Sequence, residues 1–241
     1  MRVGEVWEGS LIEIDGHEIL TTLEEKVDPR HAAVVVIDMQ KDFTTPGCFW
    51  DKLGQLDAQA MDAVADRLRG FLEAARERGV LVVHVTANYD PQYMSGPMHE
   101  RLYRHGIGRY CQSGTVGIGF HEGLEPLPGE PVVVKHRFDA FFDTELDVVL
   151  QSRGVRSLIM TGVAVHGCVD STSRHAYFKG YYVVFGADLT GGATPAVHQM
   201  TLDSINLMFG VTATASEIVT AWQQDAVAVA PALAGAAISA S

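Results

Sequence analysis

The chain has 241 residues, 47% hydrophobic and 20% charged, with 18 Lys+Arg against 30 Asp+Glu for a formal net charge of -12. These figures fit a packed globule of one large or two small domains and exclude a disordered chain, a collagen-like repeat and a coiled coil. The acidic balance repels phosphate backbones, and no apolar run approaches the roughly 20 residues that span a bilayer, so neither nucleic acid nor membrane is an expected partner.

Three cysteines are too few for a disulfide framework. Met1 to Ser10 shows no basic or apolar leader segment. A cytoplasmic protein with reduced thiols is expected. Leu11 to Ile14 and His17 to Leu20 flank Asp15-Gly16, a two-residue hairpin signal. Thr22-Leu-Glu-Glu25 has the form of a capping box, and Pro29 ends that turn. Residues 1–30 therefore read as an extension ahead of a single domain over 31–225.

Ala32 to Asp38 is a continuous apolar run closed by an acid, the pattern of a strand buried on both faces. Asp57 to Arg78 reads as a helix with Met61, Val64, Leu68, Phe71, Leu72 and Ala75 on one face and Gly79 as its stop. Val80 to Thr86 is the second strand. A polar insertion rich in Gly, Tyr and His runs from Asn88 to about Glu130, and Pro131 to Lys135 is the third strand. Asp143-Thr-Glu is expected to cap a helix ending near Gly154. Strands follow at Arg156 to Thr161, Tyr181 to Phe185 and Val211 to Thr214, and helices at Cys168 to Phe178, Pro195 to Phe209 and Ala215 to Gln224. The Ala-rich tail, residues 226–241, is expected to fray.

This alternation predicts an α/β fold, a doubly wound, mainly parallel six-stranded sheet with helices on both faces. Such sheets bind ligands beyond the carboxyl ends of their strands. Asp38, Lys135 and Cys168 sit at three of those ends. Singly, each has an ordinary reading: a turn-capping acid, a strand-end lysine reaching solvent, a small buried thiol. Together they form a chemical set, in which Asp38 takes the thiol proton while Lys135 keeps the acid ionised. The start of a helix biases Cys168 toward thiolate. The Gly-containing loop Thr161 to Cys168 could aim backbone N–H groups at one point. Cys48 and Cys111 lack such a setting. His84 reads as a satisfied core or boundary residue; His99, His105 and His121 in the polar insertion read as solvated loop residues, with lining a pocket as the alternative. No zinc-type His/Cys spacing occurs, and Met39 to Phe43 replaces the Gly-rich loop of a dinucleotide site.

Val36-Ile-Asp-Met-Gln-Lys-Asp-Phe43, Lys135 with Arg137-Phe-Asp-Ala-Phe-Phe-Asp-Thr144, and Thr161-Gly-Val-Ala with Cys168-Val169 and Ser171-Thr172 resemble the isochorismatase-like cysteine hydrolases over about residues 30–215. That superfamily includes nicotinamidases, N-carbamoylsarcosine amidases, biuret hydrolases and ureidoacrylate amidohydrolases. The resemblance implies a catalytic triad of Asp38, Lys135 and Cys168, an oxyanion hole from the Ala164 and Cys168 N–H groups, and a cis peptide at Val163-Ala164. Thr45-Pro-Gly47, Asp90-x-Gln-Tyr93, Phe141-Phe142 and Ser152-Arg-Gly154 are most similar to the ureidoacrylate enzymes. Phe43, Asn88, Tyr89, Phe138, Phe142 and His166 are the implied substrate contacts. Val165 and His166 replace the Thr and Asp or Asn of many relatives, and Phe138 replaces a Tyr. The Asp-x-His metal pair of nicotinamidases is missing from Asn88-Tyr-Asp-Pro91. The resemblance therefore implies no metal and no cofactor.

The expected function is cysteine-dependent hydrolysis of a small linear amide or ureido compound through a thioester, with release of ammonia. The partners expected are that small molecule and further copies of the chain, as a dimer or tetramer. The alternatives are isochorismatase-type vinyl-ether hydrolysis, whose enzymes generally lack the cysteine, and a non-catalytic binding protein on the same fold.

Overall fold

The computed structural model describes residues 12–54 and 57–224. Leu11, the first ten residues and the Ala-rich tail lie outside the described residues. The hairpin forms as expected: β1 (Ile12–Ile14) and β2 (His17–Ile19) pair antiparallel, with Asp15 and Gly16 both at positive φ in the turn. Thr22 and Glu25 make the reciprocal capping box of α1 (Leu23–Val27).

Six strands form one parallel sheet: β3 (Ala32–Ile37), β4 (Leu81–Ala87), β5 (Val132–Lys135), β6 (Ser157–Val163), β7 (Tyr182–Gly191) and β8 (Val211–Ala213). Their order is β5-β4-β3-β6-β7-β8, so the chain reverses direction across the sheet between β3 and β6. The carboxyl ends of those two central strands border the crevice where this architecture binds ligands.

All six residues of β3 are buried, and its side chains alternate between two apolar layers. Ala32, Val34 and Val36 meet α4 (Ala58–Glu77), through Val64, Leu68 and Phe71 among others. They share that layer with a last helix, α9, over residues 215–224. Its Trp222 stacks on Phe71 and donates its indole N–H to the Val27 carbonyl at 2.7 Å. Ala33, Val35 and Ile37 meet the opposite layer, where α6 (Leu146–Gln151), α7 (Asp170–Phe178) and α8 (Pro195–Met208) contribute Leu146, Leu150, Ala176 and Ile205.

Several boundaries differ from the sequence reading. Helix α6 starts at Leu146, because Asp143 takes a positive φ and it is Thr144 Oγ1 that accepts the Leu146 N–H. Strand β7 runs to Gly191, six residues beyond its expected end. Short helices α2 (Lys41–Thr44) and α3 (Phe49–Lys52), and α5 (Gly96–Arg104) inside the insertion, had no apolar period to announce them. Among the described residues, no helix is long and apolar enough to cross a membrane.

Gly162 holds the switch point closed. It has φ +100, and a Cβ there would lie 2.0 Å from the Ile37 carbonyl oxygen. The β6–β7 pairing shifts register across this residue. Gly162→Ala is expected to lower stability by about 3 kcal/mol or more, read as a fall in the urea midpoint at unchanged slope.

Candidate active site

Strand β3 ends in Asp38, which is fully buried and adopts φ 52, a left-handed conformation that Asp tolerates better than most residues. The Asp38 N–H donates to Val85 O at 2.9 Å, fixing the turn against β4. Lys135 ends β5 and is also fully buried. Its Nζ lies 2.8 Å from Asp38 Oδ2, 3.0 Å from the Arg137 carbonyl, 3.4 Å from Cys168 Sγ and 3.4 Å from the Tyr89 hydroxyl. Cys168 follows β6 and is 7% exposed. Thus the three residues singled out in the sequence do meet, two of them at the switch point and the third from two strands away.

The electrostatics follow from this burial. Desolvation pushes the Asp38 carboxyl above the usual carboxylate range, against the pull of the Lys135 ammonium and of the Cys168 thiol hydrogen bond. Burial alone would lower Lys135, but the charges of Asp38 and Cys168, with the hydrogen bonds to both, together outweigh it and hold the ammonium above its ordinary value. The Cys168 thiol is pushed up to about 12, first by desolvation and then by the Asp38 carboxylate beside it. This corrects the expectation of a thiolate. Cys168 does not open a regular helix but lies in a wide π-type turn, Val165–Val169, ahead of α7, and the adjacent acid outweighs any helix-end effect. Thiolate absorbance, taken as wild type minus Cys168→Ala, is expected to be missing from about pH 6 to about pH 9. A thiolate signal at neutral pH would contradict this assignment.

Before the turn, the Val163–Ala164 peptide is cis, as the resemblance implied. The Ala164 carbonyl accepts from Gly167 N at 2.9 Å and Val169 N at 3.3 Å. Thr172 Oγ1 donates to the Cys168 carbonyl at 2.7 Å and accepts the Ala140 N–H at 3.0 Å, tying the cysteine turn to the loop after β5.

A cleft of about 810 Å³ opens beside this turn, its wall including Phe43, Trp50, Arg101, Val163, Ala164 and His166. Of the residues expected at the site, Phe43, Ala164 and His166 line this cleft. Tyr89 is buried, with its hydroxyl on the Lys135 ammonium. Phe138 packs between the core and the insertion, under the Arg101 guanidinium. The structure does not bring Asn88, Tyr89, Phe138 or Phe142 to the cleft wall. The Asn88 side chain is occupied by Ser113 Oγ and the Asp90 N–H, and Phe142 is 47% exposed beside Arg137.

Other residues acquire roles the sequence did not announce. Gln40 clamps Ala87 through both its amide atoms and reaches the Ile118 carbonyl. Asp42 accepts the Cys111 N–H at 2.7 Å, and Thr44 bonds His121 Nδ1 at 3.0 Å. The segment after β3 thus pins the insertion over the site. His121 is consequently buried rather than solvated, and His105 belongs to the cleft wall. His84 is buried and bonds Glu130, in keeping with the core reading. The signal missed was the run of polar side chains from Gln40 to Thr44 immediately beyond an apolar strand.

An isochorismatase domain model matches residues 32–217. An isochorismatase family protein from Desulfovibrio vulgaris superposes with a TM-score of 0.68 at 31% identity, covering 83% of this chain and 99% of that one. A cysteine hydrolase from Pseudomonas syringae pv. phaseolicola gives 0.72 at 23% identity, covering 83% and 95%. An N-carbamoylsarcosine amidase from Thermoplasma acidophilum gives 0.64 at 22%, covering 77% and 96%; at that identity the likeness is one of fold. The chain belongs to the isochorismatase family.

Proposed function

We propose that this chain is a cysteine-dependent amidohydrolase of small linear amide or ureido compounds, in which Asp38, Lys135 and Cys168 carry the chemistry. The observation that supports it most is the packing of a thiol, a carboxyl and an ammonium into one water-poor site beside a cleft.

Asp38 accepts the Cys168 proton as Sγ bonds to the substrate carbonyl carbon, and the carbonyl π electrons move onto oxygen. A carboxylate with a raised pKa is the better acceptor for that proton. The Ala164 and Cys168 N–H groups are assigned to hold the oxyanion, an interaction worth about 3 kcal/mol per donor in acyl transfer. On collapse the C–N bond breaks, Asp38 returns its proton to nitrogen, and ammonia leaves a Cys168 thioester. Asp38 then deprotonates water, which attacks the thioester, and Sγ recovers its proton. Lys135 stays charged throughout and balances whichever neighbour is anionic. A buried thiol paired with a base favours this chemistry over vinyl-ether hydrolysis, for which a nucleophilic sulfur has no role.

Ammonia release across ureidoacrylate, N-carbamoyl amino acids, biuret, maleamate and nicotinamide tests the reading. Turnover of at least one is expected; silence across the panel, with Cys168 also unreactive to alkylation, would leave a binding protein. The reading includes a cytoplasmic homo-oligomer, which the exposed Phe178, Leu207 and Met208 support as an apolar contact surface. Light scattering on the purified chain checks that part.

A further inference from the structure

The Lys135 ammonium has three N–H bonds to give and four acceptors around it. Asp38 Oδ2 at 2.8 Å and the Arg137 carbonyl at 3.0 Å hold two of them. Cys168 Sγ and the Tyr89 hydroxyl oxygen, each at 3.4 Å, are left to share the third. A neutral thiol is a weak acceptor and a phenol oxygen a better one, whereas a thiolate, with its full charge, is stronger than either. Which of the two takes the third N–H therefore depends on the charge of the sulfur.

Tyr89 is fixed for this contact from both sides. Its N–H donates to the Cys111 carbonyl at 2.9 Å, and its ring meets Tyr110 edge-on at 5.1 Å. Just before it, the Asn88 N–H donates to the Lys135 carbonyl at 3.0 Å and Gln40 clamps Ala87, which holds the end of β4 against β5. Tyr89 is buried and does not line the cleft, and among the described residues its hydroxyl proton has no acceptor. Burial holds this phenol well above its ordinary range, so it stays neutral at every working pH. The other titratable groups facing Cys168 are Asp38 after β3, Lys135 in β5, and Tyr110 and Cys111 of the insertion, with His166 exposed in the cysteine turn itself.

We propose that Tyr89 is a positioning residue that restrains the nucleophile: its hydroxyl accepts the third Lys135 N–H while Cys168 is a neutral thiol, and releases it to Sγ when the sulfur turns anionic. Without the hydroxyl, that N–H would rest on the sulfur continuously and favour loss of the thiol proton to Asp38. Tyr89 thus keeps Cys168 protonated, and slow toward stray electrophiles, between turnovers. The proposal rests on the amidohydrolase reading for the role of Cys168 as nucleophile, and goes beyond it in assigning Tyr89 to the ammonium and not to the substrate.

Alkylation tests this without any substrate. Wild-type protein and Tyr89→Phe, which keeps the ring and removes only the hydroxyl, are treated with iodoacetamide between about pH 8 and about pH 9.5, and modification is read by mass at the Cys168 peptide. Tyr89→Phe is expected to react about 3-fold faster at each pH, because more thiolate is present and its lower basicity offsets part of the gain. Mere loosening of the site would also expose Cys111, which is fully buried in the same cluster as Tyr89 and should stay unmodified in both proteins. In the Asp38→Asn/Lys135→Met protein, where the ammonium is gone, Tyr89→Phe should change nothing. An unchanged or slower rate, modification of Cys111 together with Cys168, or an equal acceleration without Lys135 would each overturn the proposal. The slower rate would mark a phenol that donates to the sulfur. Ammonia release from the amide panel decides the amidohydrolase reading separately: faster Cys168 alkylation in Tyr89→Phe with no ammonia from any compound would uphold the restraint and overturn the hydrolase.

Discussion

Cys168→Ala is expected to lower ammonia release by at least about 10⁴-fold while leaving the urea midpoint close to that of the wild type. The thiol sits at the edge of the apolar layer and is 7% exposed, so trimming it leaves at most a small void. Its hydrogen bond to Lys135 is a long sulfur contact of 3.4 Å, and the Lys135 ammonium keeps Asp38, the Arg137 carbonyl and the Tyr89 hydroxyl. Turnover, by contrast, has no other nucleophile to use. Cys111 is buried with its thiol pushed well up, and Cys48 sits at the start of α3, so neither substitutes for it. Circular dichroism and an ammonia assay on the same preparation check both halves of the expectation.

The second large effect concerns the buried ion pair. Lys135→Met leaves the Asp38 carboxyl without its cation in a fully buried site, and a loss of about 3–5 kcal/mol is expected at neutral pH. The loss should depend on pH with a definite sign. Burial already raises the folded-state pKa of Asp38, and removing the ammonium raises it further, so the folded form binds more protons than the unfolded one. Stability contributed by such a group is present at low pH and lost as the pH rises above the unfolded value of about 4. The Lys135→Met defect should therefore be small near pH 4 and grow toward neutrality. Adding Asp38→Asn should recover most of the stability and none of the activity, since the proton acceptor is then gone. A double variant no more stable than Lys135→Met would contradict the ion-pair account; denaturant titrations across pH provide the comparison.

Much of this arrangement could be read from the chain. Apolar runs such as Ala32 to Ile37 signal strands covered on both faces, and helix α4 shows its buried stripe in the spacing from Met61 to Ala75. Asp38, Lys135 and Cys168 were legible because charge or reactivity at the end of an apolar strand is conspicuous, and because the three motifs occur in family order. The insertion resisted reading for a physical reason. Its structure comes from side chains that reach back to Gln40, Asp42 and Thr44 across gaps of roughly 70 residues, and local periodicity carries no trace of such contacts. Arg101 was hidden for the same cause: on the sequence it is one basic residue in a polar helix, and only the folded insertion sets it on the cleft wall. The Cys168 thiolate expectation failed because a helix-start argument cannot count the buried carboxyl that the fold places next to the sulfur.

The most direct measurement is mass analysis of the Cys168 peptide after acid quench during turnover of a ureido acid. A covalent acyl intermediate predicts a fraction of that peptide heavier by the substrate less ammonia, dependent on Asp38 for its formation. Full ammonia release with an unmodified Cys168 peptide, and with activity kept in Cys168→Ala, would contradict it.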